Sequence, residues 1–319
     1  MIANNMNSYL EIEKIRYIGN SREAPTTIVS LKDLSFEDGK ATAIIGPNGS
    51  GKSTLLNVMM GLRPDFTFKA SLSGQVYSDR LPPNRNRIGY ASQNLNFPSG
   101  TNVKDIFRYY FSVYDCFEEH LSEKISSLIP EDLENSSFDK ISSGQKQRVN
   151  IFLALNHQPD LALLDEPERS LDDLRIRTTA QIIAERSSLS KTTIVATHNE
   201  KILSVAQNVI FLTDGQVIYQ GKLHDLIYER LGEGVLEIII NNESELRFIM
   251  SKVKGISDCK MKIMLDDGRL LLFGSSSLPR DLEDSNIEKL SFTWRKLTSK
   301  DLLLSVEGSR LYDDCALSF

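Results

Sequence analysis

Apolar positions along the chain fall into two textures. Ala41-Thr-Ala-Ile-Ile45, Arg87-Ile-Gly-Tyr-Ala91, Leu161-Ala-Leu-Leu164 and Thr192-Thr-Ile-Val-Ala196 are short, nearly continuous apolar or β-branched runs. Such runs fit strands covered on both faces, as in a parallel sheet packed between helices. Elsewhere the spacing is helical. Leu55, Leu56, Met59 and Met60 recur at three- and four-residue intervals and Gly61 follows, which predicts a helix over 54–61. A helix is also expected over Lys146–Leu155. Val209-Ile-Phe-Leu212 and Gln216-Val-Ile-Tyr219 flank Asp214-Gly215, a hairpin pattern.

Between about Leu95 and Asp139 aromatics and carboxylates crowd together, and helices are expected over Val103–Tyr114 and Phe117–Leu128. At about 100° per residue, Phe107, Tyr109, Tyr110, Phe111 and Tyr114 fall around more than one face, so part of this aromatic surface is expected to stay exposed. A boundary is expected near Gly232-Glu-Gly234. Beyond it come a strand over Val235–Ile240, a helix over Ser244–Val253 and a hairpin, Met261–Leu265 and Arg269–Phe273, around Asp266-Asp-Gly268. A strand near Leu290–Arg295 and a helix over Ser299–Val306 follow. The expectation is an α/β protein of two domains, one over 8–232 with a helical subdomain at about 95–156, and a small α+β domain over 235–319.

The length of 319 residues accommodates two domains, and 40% hydrophobic with 25% charged residues excludes disordered and fibrous classes. The net charge of −6 lacks the basic footprint of a nucleic-acid binder, so no nucleic-acid partner is expected. There is no apolar run of about 18 residues, and Met1–Leu10 lacks the layout of a secretory signal. Cys116, Cys259 and Cys315 lie far apart without metal-ligand spacing and are expected as reduced cytosolic thiols.

The chemistry concentrates in a few motifs. Gly46-Pro47-Asn48-Gly49-Ser50-Gly51-Lys52-Ser53, followed by Thr54, fits G-x-x-x-x-G-K-[ST] between a strand and a helix. Glycines let successive N–H groups turn toward phosphate oxygens, and the helix N-terminus adds partial positive charge. Lys52 supplies a point charge for the terminal phosphates and Ser53 a hydroxyl for Mg²⁺. Leu161-Ala-Leu-Leu-Asp-Glu-Pro167 is an apolar strand ending in two carboxylates. Asp165 is placed to hold the metal's water shell, Glu166 to polarise an attacking water.

Upstream lies Ile141-Ser-Ser-Gly-Gln145, and with it the chain resembles the ATP-binding cassette (ABC) ATPases over about residues 10–230. Gln93 resembles the family's Q-loop glutamine, Ser170-Leu-Asp172 its D-loop and His198 its switch histidine, all in the family's order. Ile141 and Ser143 stand where the family has leucine and a first glycine, and Glu168-Arg169 where small polar residues are usual. The resemblance implies a P-loop core of mostly parallel sheet with N-terminal antiparallel strands and a helical subdomain. It implies ATP and Mg²⁺ as ligands, with Ser53, Gln93 and Asp165 around the metal and Glu166, His198 and Gln93 as catalytic residues. It also implies a head-to-tail dimer in which Ser142, Gly144 and Gln145 of one copy reach the ATP of the other. Tyr17 is the candidate for stacking on adenine.

The phosphate loop and the Ser142–Gln145 segment are about 90 residues apart with no heptad run between them, and only one cassette is present. That favours a transporter subunit over a coiled-coil chromosome ATPase, a tandem translation factor or a bare metabolic ATPase. The implied partners are a transmembrane permease and a second ATPase domain, with the chain peripheral on the cytoplasmic face of the membrane. Ile88–Gln93 with Val103–Tyr114, Gly221–Gly234 and Thr298–Gly308 resemble bacterial exporter cassettes. Import, or a soluble ATPase outside transport, is the alternative.

Overall fold

The computed structural model describes residues 8–17, 30–63, 66–72, 75–78, 85–114, 123–129, 133–253, 256, 258–283 and 292–312. The chain divides into two compact units, Met1–Gly221 and Lys222–Phe319.

The first unit holds two sheets. β1 (Ser8–Tyr17), β2 (Ser30–Glu37), β4 (Phe66–Leu72) and β5 (Gln75–Ser78) form an antiparallel sheet in the order β2-β1-β4-β5. β3 (Ala41–Ile45), β6 (Ile88–Ala91), β7 (Leu161–Asp165), β8 (Thr192–Ala196), β9 (Asn208–Thr213) and β10 (Gln216–Lys222) form the second, in the order β10-β9-β3-β8-β7-β6. β6, β7, β8, β3 and β9 run parallel. β9 and β10 are joined at Asp214-Gly215, both at positive φ (48° and 72°), the backbone a two-residue hairpin needs.

Every residue of β3, β7 and β8 is buried, which is why these strands read as unbroken apolar runs. α1 (Lys52–Met59) lies between the sheets. Its Leu55, Leu56, Val58 and Met59 share one core with Leu10, Ile12, Ile15 and Phe66 of the first sheet and Ile44, Leu163 and Ile194 of the second.

The remaining helices of this unit are α2 (Val103–Tyr114), α3 (Glu123–Ser126), α4 (Ser143–Leu155), α5 (Asp173–Ser188) and α6 (Glu200–Leu203). α1 starts two residues ahead of the expected Thr54. α4 starts ahead of Lys146 because Ser142 caps it: the Ser142 hydroxyl accepts from Gln145 N (3.2 Å) and Gln145 Oε1 accepts from Ser142 N (2.8 Å). α4 lies against β6 so closely that a Cβ on Gly89 would sit 1.7 Å from the Ala154 carbonyl oxygen. Of the helix expected over Phe117–Leu128, only Glu123–Ser126 falls in a described helix; Cys116, Phe117 and His120 lie outside the described residues. On α2, Phe107 and Tyr110 are buried, Phe111 and Tyr114 half-buried, and Tyr109 is 73% and Val113 49% exposed, so the aromatics do divide between faces.

The second unit contains α7 (Leu223–Leu231), β11 (Gly234–Ile239), α8 (Glu243–Val253), β12 (Cys259–Met264), β13 (Arg269–Gly274), α9 (Leu278–Glu283), β14 (Phe292–Lys296) and α10 (Ser299–Tyr312). The antiparallel sheet has the order β12-β13-β11-β14, so β11 to β14 trace a split β-α-β, the ferredoxin-like βαββαβ path. Its core gathers Leu236, Ile238, Ile249, Val253, Leu270, Leu272 and Leu282.

The division at Gly221/Lys222 precedes the boundary expected at Gly232–Gly234. The reason is α7. Its Arg230 donates to Ser305 Oγ (3.0 Å) and to the Ser305 carbonyl (3.2 Å), and Lys260 Nζ donates to the carbonyls of Tyr228 and Glu229 (3.0 Å each). Asp301, fully buried at the start of α10, accepts from Nη1 and Nη2 of Arg295 and from Thr298 N and Oγ1, each at 2.8 Å. Burial alone would raise its carboxyl, but the Arg295 hydrogen bonds prevail and hold it below the usual range.

Candidate active site

Parallel strands deliver their C-terminal ends to one edge of a sheet, and in an open α/β sheet that edge is where ligands bind. β3, β6, β7 and β8 all end there, each followed by one of the sequence motifs.

After β3 the chain turns at Gly46, where a Cβ would lie 1.9 Å from the Leu212 carbonyl oxygen, so no other residue fits. Ser50 N donates to the Pro47 carbonyl (3.1 Å), and Asn48 and Gly49 stand exposed at the crest. Gly51 takes φ 105° immediately before α1, a conformation that favours glycine. Lys52 is buried, and its Nζ donates to the carbonyls of Gly46 (2.8 Å) and Pro47 (3.1 Å), so the ammonium is drawn across the loop. Burial lowers its pKa, opposed by the charges of Glu166, Asp165 and Glu168. Thr54 is half-buried in the first turn of α1.

β7 ends at Asp165, which is 1% exposed and accepts from Ser53 Oγ at 2.9 Å. Burial pushes its carboxyl up to about 6; Glu166 adds to the shift, and Ser53 and Lys52 oppose it. Glu166 is the next residue, at φ 47°, with its N–H donating to the Ala196 carbonyl of β8 (2.9 Å). Its Oε2 accepts from Gln93 Nε2 at 3.1 Å. Lys52, Ser53, Asp165, Glu166 and Gln93 thus meet at one point although they come from three parts of the sequence.

His198 follows β8 and is half-buried. Ser142, Gly144 and Gln145 occupy the start of α4. Ser142 is exposed, and a Cβ on Gly144 would lie 2.6 Å from the Ser170 carbonyl oxygen, so glycine lets the D-loop pack there. Beside it a cavity of about 230 Å³ is lined by Gln93, Ser143, Lys146, Gln147, Arg169 and Ser170 among others. Tyr17 ends β1 opposite Phe66; its side chain, and with it the expected adenine contact, lies outside the described residues. No cluster of three or more His, Cys, Asp or Glu suited to a metal occurs among the described residues.

Three polar residues were not legible as site residues. Gln147 Nε2 donates to the carbonyls of Glu166 (3.4 Å) and Pro167 (3.2 Å), and Asn150 Nδ2 to that of Ser92 (2.6 Å). They sit three apart on one face of α4, both buried, a spacing that marks a helix face tied to its neighbours' backbones. The third, Glu168, accepts from Thr197 Oγ1 (2.7 Å) and His198 N (2.9 Å).

Residues 31–169 match the ABC transporter family. The tungstate uptake system ATP-binding protein TupC of Peptoclostridium acidaminophilum is 32% identical over 204 residues, 60% of this chain and 90% of that protein. The Nod factor export ATP-binding protein I of Cupriavidus pinatubonensis is 26% identical over 247 residues, 76% of this chain and 75% of that one. Among solved structures, the dimeric post-hydrolysis ATP-binding cassette MJ0796 bound to ADP and Pi superposes with a TM-score of 0.56 at 22% identity, covering 67% of this chain and 98% of that one. That likeness matches the fold described above, a mostly parallel sheet. With an exporter's and an uptake system's ATP-binding proteins both among its relatives, the chain belongs to the ABC transporter ATP-binding proteins and is an ATPase subunit of that family.

Proposed function

We propose that the chain hydrolyses ATP at the edge formed by β3, β6, β7 and β8, as one of two copies that serve a separate membrane permease in export. The observation that carries the catalytic reading is the meeting of the Ser53–Asp165 pair with the Glu166–Gln93 pair beside Lys52. The Glu166 carboxylate accepts a proton from water as the water oxygen bonds to the γ-phosphorus and the bond to ADP breaks. Lys52 exchanges its loop carbonyls for phosphate oxygens, and the loop N–H groups hold the β-phosphate. His198 and, from the second copy, Ser142, Gly144 and Gln145 meet the charge that develops on the γ-phosphate. The dimeric MJ0796 cassette supports the two-copy reading.

The hard oxygen donors of Ser53 and Asp165, 2.9 Å apart and largely shielded from water, together with the Gln93 amide, suit a Mg²⁺ ion. When bound it would neutralise charge on the β- and γ-phosphate oxygens.

No helix among the described residues is long and apolar enough to cross a membrane. The exposed Tyr109 and Val113 on α2 are the proposed docking surface, which would hold the chain peripherally on the cytoplasmic face. Export rests on the exporter-like stretches at Gly221–Gly234 and Thr298–Gly308 and on the Nod factor export relative. The test is affinity purification of the tagged full chain from membranes. A polytopic membrane protein should co-purify, and Tyr109→Ala should abolish this while leaving the ATPase rate of the isolated chain near normal. A solute-binding protein in the same complex would turn the assignment to import. Retention of the permease by Tyr109→Ala would place the docking surface elsewhere.

A further inference from the structure

Glu168 is a carboxylate in the loop between β7 and α5, and nothing in the hydrolytic mechanism above uses it. Its side chain crosses from that loop to the loop after β8. Oε1 accepts from the Thr197 hydroxyl (2.7 Å) and from the His198 backbone N–H (2.9 Å). The same Thr197 Oγ1 accepts from Asn199 N (2.9 Å), and Asn199 in turn caps α6 by accepting from Lys201 N (3.0 Å). Thr197 is fully buried. The main chain is therefore fixed on both sides of His198 by a network that ends on a single Glu168 oxygen.

The loop that carries Glu168 is itself under constraint. Glu166 and Ser170, neither of them glycine, take positive φ (47° and 62°), conformations that persist only where the surroundings over-determine them. Arg169 N donates to the Glu166 carbonyl (3.0 Å) and Leu171 N to the Glu168 carbonyl (3.1 Å), so the turn closes around Glu168. Oε2 of Glu168 is buried, with no hydrogen-bond partner among the described residues. Its Oε1 reaches across to the neighbouring loop.

We propose that Glu168 is a positioning residue for His198, coupling the strained loop after β7 to the loop that presents the histidine. The inference rests on the proposed role of His198 at the γ-phosphate. Burial raises the Glu168 carboxyl above the ordinary glutamate range, against the opposing hydrogen bond from His198 N. Both donors meet one oxygen, so glutamine keeps that acceptor while alanine leaves two donors unmatched.

The test is a double-mutant cycle on the full chain, reading kcat and ATP affinity separately. Displacing a reacting group by about 1 Å costs on the order of 10²-fold, so Glu168→Ala is expected to lower kcat by roughly 10- to 100-fold with little change in ATP affinity. Glu168→Gln should recover most of the rate. In a His198→Ala background, Glu168→Ala should cost nothing further. If Glu168→Ala does not fold, Thr197→Val removes one donor and is put through the same cycle. Additive losses in the cycle, or a loss confined to ATP affinity, would overturn the proposal. If His198→Ala alone leaves hydrolysis intact, the proposed role of the histidine has failed, an outcome separable from any failure at Glu168.

Discussion

At the scale of single residues, the site's chemistry turns on carboxylates whose neighbours differ. Glu166 faces the Gln93 amide, whereas Asp165 faces a hydroxyl. Replacing Glu166 with Gln keeps shape and removes the proposed proton acceptor. Hydrolysis is expected to fall by roughly 10²–10⁴-fold while ATP binding persists and an ATP-bound dimer accumulates on size-exclusion chromatography. Full turnover would assign the water to another group. His157 offers a test of stability away from the chemistry. It is hydrogen-bonded to the Tyr110 hydroxyl and lies 4.2 Å from the Tyr114 ring. Burial, with Arg186 nearby, lowers its pKa from 6.5 to about 4. A folded-state pKa below the unfolded one means the unfolded chain binds the proton first. The stabilisation is complete above about pH 6.5 and drains away as the pH falls toward 4. His157→Leu should therefore lose less of its urea midpoint than the parent between those two values. The motif residues were legible because their chemistry repeats at fixed local spacing. Glu168, Gln147 and Asn150 were not, because each acts on backbone groups 19 to 58 positions away.

Among the elements, legibility followed burial. β3, β7 and β8 are wholly buried and read as apolar runs. The antiparallel strands β1, β2, β4 and β5 are expected only through the family resemblance; in β1 the alternation of apolar and polar positions breaks at Glu13-Lys14, where its pairing with β4 shifts register. α5 carries little signal in the sequence. Its stripe is thin, with Thr179, Ala180, Ile182 and Ile183 buried beside the equally buried Arg186. That arginine donates to Thr193 Oγ1 (3.1 Å) and to the carbonyls of Pro159 (3.0 Å) and Thr192 (3.2 Å), so a charged side chain does what an apolar one would signal. α5 begins at an Asp172 side chain that accepts from Arg175 N (2.8 Å). Asp172→Ala should cost about 1 kcal/mol, read as a lower urea midpoint with an unchanged slope. No change in midpoint would mean that tertiary packing alone fixes the start of α5.

For the molecule as a whole, the division at Gly221/Lys222 sets where the chain can be cut. Residues 1–221 alone should remain soluble and bind ATP as the full chain does. Ending instead at Gly234 leaves α7 without α10 and β12, with Leu223, Leu226 and Leu231 unburied, and should give the more aggregation-prone product by light scattering. The reverse order of behaviour would return α7 to the cassette. The close seating of Gly89 against Ala154 has a reach beyond packing. With Asn150 holding the Ser92 carbonyl, it makes the strand leading to Gln93 and the helix opening at Ser142 a single lever. In a pair of copies, one end of each lever would sense that copy's own nucleotide while the other end forms a wall of the opposite pocket. The two pockets would then be linked in series, and neither could let go of its phosphate without loosening the other.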